Sequence, residues 1–435
     1  MYIQYSMNFY KLKDIYLKDK FLLYLFILLL IMPASLIAGN AVVNINLAVI
    51  VIFFLINAIS KSEFNIFISK KFIPLFFFFI LILITDLISL GHFNYKAIFL
   101  FKFYFFFLAI NYVFEKEKLL LYSLSFFTFL TLIIFSVDIL VQYNFGKDIL
   151  GISSNSGHRY AGFMGDEWIA GSYISKLFLI GMVNFLFLKK LKIINLILMA
   201  LFFWIVLITG DRIALFHYLL SLFLLCIFFQ YKKIYSLKYY ITLLFSAGLI
   251  FIIFFANLSE SRKNAYTIDI LIKLKLAKNF TKIYKFENLD QKQLDLEIDK
   301  NNTHIDLFIS SFKLITDNTF FGTGTNNFYE SCKNFKEKIY CENHSHNLYL
   351  NILSEQGIFV FLLFLYLLYK YVFQELYLIK KNNTKGIIFI IVLVILNPIN
   401  ISGDFFSTWT GTFFWYIFGI YCALTKIDVE KKDEN

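Results

Sequence analysis

The stretch His344-Ser-His-Asn-Leu-Tyr-Leu-Asn-Ile-Leu-Ser-Glu-Gln-Gly-Ile358 decides how the chain is read, because a polar loop rich in Lys and Asn runs there into a long apolar segment. Two imidazoles, an amide and a carboxylate stand at the mouth of a predicted transmembrane helix. Ionisable groups at a membrane entrance are costly unless a partner or a substrate uses them, so this stretch is the first candidate for function.

Working outward, 435 residues that are 59% hydrophobic, with a mean hydropathy of +0.68, carry more apolar surface than one soluble core can hide. With 57 Phe and only 3 Pro, the chain suits long helices in lipid rather than a barrel of alternating strands. The predicted class is all-α: a polytopic membrane protein forming one integral membrane domain over residues 1–435. Apolar runs near 21–40, 42–60, 72–90, 97–114, 119–141, 168–188, 193–209, 213–230, 239–256, 347–369, 386–401 and 411–425 give about twelve spans. The run that starts at Phe21 is too long for the core of a secretory signal and has no small-residue cleavage site after it, so it stays as the first helix.

The net charge of +11 is a topology signal rather than a nucleic-acid footprint, because lysine gathers in short loops between the spans. With a cytoplasmic N-terminus, the predicted inner loops all carry lysine: 11–20, 61–71, 115–118, 189–192, 232–238, 370–385 and the tail from Lys426. The short outer connections at Asn40, 91–96, 210–212 and 402–410 are poor in it, which is the positive-inside pattern. Two longer loops, 142–167 and 257–345, then lie outside, where long loops escape the charge rule. In the second, Ile305, Phe308, Ile309, Phe312 and Ile315 recur at helical spacing, predicting an amphipathic helix on the membrane or capping the bundle. Gly322-Thr-Gly-Thr325 reads as a turn. Pro33 and Pro398 fall inside predicted spans as kinks, and there is no repeat, Walker or dinucleotide motif. Of four cysteines, Cys226 and Cys422 lie in spans, and only Cys332 and Cys341, sharing the large outer loop, are placed to bridge.

Arginine occurs three times, as Arg159, Arg212 and Arg262, all on the predicted outer side. A guanidinium fork grips phosphate or carboxylate through two parallel hydrogen bonds, which an ammonium cannot do. Arg212 follows Gly210-Asp211 at a tight turn, where the structural alternative is a snorkelling side chain paired with Asp211. Arg159 lies in a glycine-punctuated approach to the next span, and Arg262 has no such setting. His344 and His346 are too sparse in neighbouring ligands for a good metal site. An imidazole, with an ordinary pKa of about 6.5, is better suited to take a proton from a hydroxyl. The alternative is a polar helix start capped by Ser345 or Asn347. Glu355 and Gln356 lie a few turns deeper, and Glu355 is expected to close a hydrogen bond within the bundle. Asp86, Lys102 and Asp138 are intramembrane charges that would line a path in a transporter, with pairing or snorkelling the alternative for Lys102 and Asp138; Asp166-Glu167 could orient an acceptor; His92 and His217 read as structural.

In these features the chain resembles the O-antigen ligase and O-antigen polymerase superfamily of bacterial inner-membrane glycosyltransferases. His346-Asn347, nine residues and Gly357 match the ligase signature, with Val360 standing where the second glycine belongs. Phe320-Phe-Gly-Thr-Gly-Thr-Asn-Asn-Phe328 is similar to the Gly-x-Gly turn upstream of the histidine. Gly210-Asp-Arg212 and Arg159-Tyr-Ala-Gly-Phe163 resemble its two arginine segments. A further arginine is usual on the loop helix, and His304 is the nearby basic group here. The resemblance implies a donor glycan on a polyprenyl (undecaprenyl) diphosphate and a membrane-bound acceptor such as lipid A core. It implies His346 as base, Arg212 and Arg159 on the diphosphate, and His344, His304 or Arg262 as additional contacts. No metal or cofactor is called for, and the site would face the periplasm from the inner membrane. The large loop before the His-Asn pair favours a ligase over a polymerase, and a glycan flippase is the more distant alternative.

Overall fold

A computed structural model describes residues 19–67, 69–92, 94–117, 120–154, 159–256, 303–335, 341–398 and 403–424. Among them the chain is helical, with one isolated antiparallel bridge between Lys147 and Ser153. In order the helices are α1 (Lys20–Ala38), α2 (Asn40–Ser60), α3 (Ile73–Leu90), α4 (Tyr95–Lys116), α5 (Leu120–Phe145), α6 (Ala170–Leu186) and α7 (Lys192–Thr209). There follow α8 (Arg212–Lys232), α9 (Leu237–Ala256), α10 (Thr303–Asp317), α11 (Phe328–Lys333), α12 (Leu348–Leu368), α13 (Asn383–Ile395) and α14 (Thr408–Ala423).

Each predicted span falls on a helix, and among the described residues 8 helical segments are both long and apolar enough to cross a membrane. α6, α13 and the Ile241–Ala256 part of α9 are shorter apolar helices, and α14 has 16 residues. The protein is thus a multi-pass helical bundle, with large side chains such as Ile45, Ile197 and Phe245 turned outward, as lipid-facing surfaces require. α6 is the hub, packed against α5, α7, α8 and α13, while α14 closes on α4, α2 and α13.

One expected detail changes and another is settled between its alternatives. α13 ends at Ile395, so Pro398 lies beyond the helix rather than inside it. Proline offers no N–H and disfavours helix in the residue before it, which suits a stop. On α10 the predicted apolar stripe points away from the bundle: Phe308, Ile309 and Phe312 are exposed, while Leu307, Ser310, Ser311 and Leu314 are buried. The helix therefore packs on α12 through a mixed face and keeps its more apolar one outward. Pro33 does sit within α1, where its missing N–H frees the Leu29 carbonyl; the Tyr416 hydroxyl of α14 donates to that oxygen at 3.0 Å.

The two ends of the bundle differ. One is held by exposed ion pairs such as Lys71 with Glu115, 2.7 Å apart. The other gathers the turns around Asn40, Asn94, Asp211, Asn347 and Asp404, and it carries the candidate residues.

Candidate active site

The centre of that end is a helix broken on purpose by its sequence. Within α12, Gly357 adopts φ 71° and ψ −175°, outside any helical geometry, so the carbonyls before it lose their usual partners. The turn that follows α10 supplies donors instead. Thr323 N–H reaches Ser354 O at 3.0 Å and Gly324 N–H reaches Glu355 O at 2.8 Å, while Ile358 N–H donates to Thr319 O at 2.9 Å. The approach leaves no room for side chains: a Cβ on Gly322 would meet the Glu355 carbonyl carbon at 2.3 Å, and one on Gly357 would meet Phe320 O at 2.3 Å. The two glycines predicted to matter are thus the two halves of one interlock.

Buried polar groups lock it further. The Asp86 carboxylate of α3 accepts from Thr325 N–H (2.8 Å), Thr325 Oγ1 (3.0 Å), Gln356 Nε2 (2.9 Å) and Asn94 Nδ2 (2.8 Å). Gln356 Oε1 in turn accepts from Thr85 Oγ1 at 2.7 Å. Glu355 accepts from Asn326 N–H at 2.8 Å and Asn351 Nδ2 at 3.3 Å, and the Asn351 amide oxygen takes Phe405 N–H at 2.8 Å. A satisfied buried network of this kind fixes one arrangement, because stranding any member costs about 1–3 kcal/mol. Glu355, Gln356 and Asp86 are therefore joined to the turn, as expected of Glu355; Asp86 does not line a path. Asp138 likewise accepts Ile149 N–H at 2.9 Å and lies against Gly162, and Lys102 bonds to Asn44 and Thr408 instead of pairing with Asp138.

His346 sits just ahead of this broken helix, with a left-handed backbone (φ 52°) and a side chain 24% exposed. Its Nε2 bonds the Glu342 carboxylate, a partner that sequence spacing did not single out. The His344 ring lies 4.1 Å away, centroid to centroid. Asn347 is the helix cap, its Oδ1 accepting from Tyr349 N–H (3.0 Å) and Leu350 N–H (3.2 Å), while its Nδ2 donates to Pro398 O at 2.8 Å. Capping thus falls on Asn347, one of the two residues expected for it, and the His346 side chain is not the cap. Cys332 and Cys341 form a disulfide, Cα atoms 5.9 Å apart, anchoring the segment that carries Glu342.

Arg212 is the first residue of α8, and Asp211 is its cap, accepting Ile213 N–H at 3.1 Å and Ala214 N–H at 3.2 Å. Burial raises the Asp211 pKa, while the cap bonds and the charges of Lys176 and Arg159 pull it back. Arg159 and Lys176 are thus electrostatic neighbours of the turn that carries Arg212, and Lys176, on α6, is a cation that sequence reading passed over. The Arg159 guanidinium rests 5.0 Å from the Trp168 ring centroid. α8 packs on α13, and Pro398 just past α13 is the residue Asn347 holds, so the arginine turn and the histidine loop belong to one end of the bundle. His92 is exposed and meets Leu90 O at 2.9 Å, and His217 is buried. His304 lies on α10 but its side chain, like the whole of Arg262, is outside the described residues.

Residues 197–365 match the family model for O-antigen ligase. The match runs from α7 into α12 and so takes in Arg212, the Gly322–Gly357 interlock, Glu342 and His346; Arg159 precedes it. No protein of curated function matches the chain.

Proposed function

We propose that this chain, whose O-antigen ligase domain marks it as a glycan-transfer enzyme, moves a glycan from a polyprenyl diphosphate carrier to a membrane-bound acceptor such as lipid A core. The reaction takes place at the periplasmic face of a bacterial inner membrane. The observation that carries the reading is His346, held by Glu342 directly before a broken helix inside that domain.

An ionised Glu342 accepts a hydrogen bond only from a protonated Nε2, so it selects the tautomer whose Nδ1 lone pair is open. The acceptor hydroxyl gives its proton to Nδ1 as its oxygen bonds to the anomeric carbon, and the bond from that carbon to the diphosphate oxygen breaks. Negative charge then builds on the departing diphosphate, where Arg212 and Arg159 meet it with bidentate, charge-assisted bonds. The raised pKa of Asp211 lessens its repulsion of that charge. The residues supply acid–base and electrostatic roles without a resident cofactor entering any step.

The same domain serves ligases and polymerases. The large loop ahead of His346 favours the ligase, and deletion of the gene followed by gel analysis of lipopolysaccharide tests it. Loss of all attached polymer supports a ligase; retention of one attached unit supports a polymerase. Unchanged glycan with altered solute uptake would point to a transporter.

A further inference from the structure

A groove between α2, α4 and the start of α14 takes no part in the chemistry above. It encloses about 580 Å³, within the range of roughly 300–1,000 Å³ common for ligand sites. One wall is apolar, built from Ala48, Val51, Ile52, Phe99 and Leu100. Ile52 and Phe99 are 53% and 66% exposed, so this wall opens sideways from helices of membrane-spanning length.

The other wall is cationic. Lys96 and Lys102 face the groove beside Asn326 and Thr408. Lys102 Nζ donates to Asn44 Oδ1 at 3.1 Å and Thr408 Oγ1 at 3.0 Å, both neutral acceptors that leave its charge uncancelled. Among the described residues neither ammonium has a carboxylate within 4.0 Å. The Lys96 charge acts on Asp404, a half-buried carboxylate bonded to Phe406 N–H at 2.9 Å. Two cations at the mouth of an apolar, lipid-open wall match an amphiphile with an anionic head, because either half of the groove alone would suit a different ligand.

We propose that this groove seats a lipid with a phosphate monoester head, the phosphate lying between Lys96 and Lys102 and a chain running along Ala48, Val51 and Ile52. The site is separate from the arginine turn and does not depend on the transfer reaction.

The test uses the full chain in detergent, with native mass spectrometry after addition of dioleoyl phosphatidate or dioleoyl phosphatidylcholine. Phosphatidate should be retained in preference by roughly tenfold or more, the effect of one good charge-assisted contact. The preference should vanish in Lys96→Gln/Lys102→Gln. Ala48→Trp, which fills the apolar wall and leaves both ammoniums, should also lose the lipid, and it serves should the double variant fold poorly. Equal retention of the two lipids, or retention unchanged in both variants, overturns the proposal. So does displacement of phosphatidate by millimolar inorganic phosphate, which would make the site one for the phosphate alone.

Discussion

The Asp86 carboxylate and the Thr325 backbone N–H meet at 2.8 Å across 239 residues of chain. That single contact ties α3 to the turn that plugs the break in α12, and three further donors converge on the same carboxylate. Asp86→Asn keeps the size but replaces one acceptor oxygen with a donor that faces other donors. The expected cost is about 1–3 kcal/mol, read as a lower midpoint of thermal unfolding in detergent. A midpoint equal to wild type would show the network to be dispensable.

Gly357→Ala should be harsher than an alanine elsewhere in α12. The positive φ alone costs on the order of 1–3 kcal/mol, and the new methyl would stand 2.3 Å from Phe320 O. The yield of folded protein in the membrane should fall, with the Thr319–Thr325 turn becoming sensitive to added protease. Full yield and protection would contradict the interlock.

Replacing His346 with alanine should reduce transfer of glycan to the lipid A core roughly 100- to 10,000-fold at unchanged membrane levels. Glu342→Gln should lower kcat by less and leave KM nearly unchanged, because it loosens the ring without removing the base. Normal transfer by His346→Ala sinks the assignment.

Arg212→Ala should lose transfer, and Arg212→Lys should recover little of it, since the ammonium cannot form the fork. A loss of roughly 10- to 100-fold in the lysine variant corresponds to one bidentate, charge-assisted contact. An Arg212→Lys enzyme with full activity would leave only a point charge at this position.

Stability should depend on pH through Asp404. Burial pushes its pKa up to about 6, against the pull of Phe406 N–H and Lys96. The folded state therefore holds this proton more tightly than the unfolded one does. Its contribution is fully present below the ordinary carboxyl pKa of about 4 and is lost as pH rises through about 6. The effect is about 3 kcal/mol, and in Asp404→Asn the unfolding midpoint should flatten across that window. A slope that persists in the variant would assign it to another group.

Much of this was legible because it is local. Twenty-residue apolar runs, the Asn347 cap and the turn at Gly322 follow from spacing and turn chemistry, and the pairing of Cys332 with Cys341 from their shared outer loop, while Gly357 stood out through the family resemblance. Partnerships across the bundle were not legible: Asp86 looked like an isolated intramembrane charge because three of its four donors come from Thr325 and Gln356, far along the chain. Glu342 is only four residues before His346, yet nothing in a loop fixes a spacing, so the sequence offered no periodicity to connect them. Lys176 was hidden in an apolar helix, and its relevance rests on Asp211, which α6 meets only through tertiary packing. The α10 periodicity was legible too, and of its two readings, on the membrane or capping the bundle, the outward apolar side chains Phe308, Ile309 and Phe312 suit the first.

The proline of α1 has one more consequence, for assembly. The carbonyl it opens at Leu29 belongs to an early helix, while the hydroxyl that answers it, on Tyr416, is synthesised 387 residues later. Until α14 inserts, that oxygen has no helical partner in a solvent that offers none. The first helix of the described bundle is thus completed by the last, and a ribosome stalled before α14 would leave a ring of helices with its clasp undone.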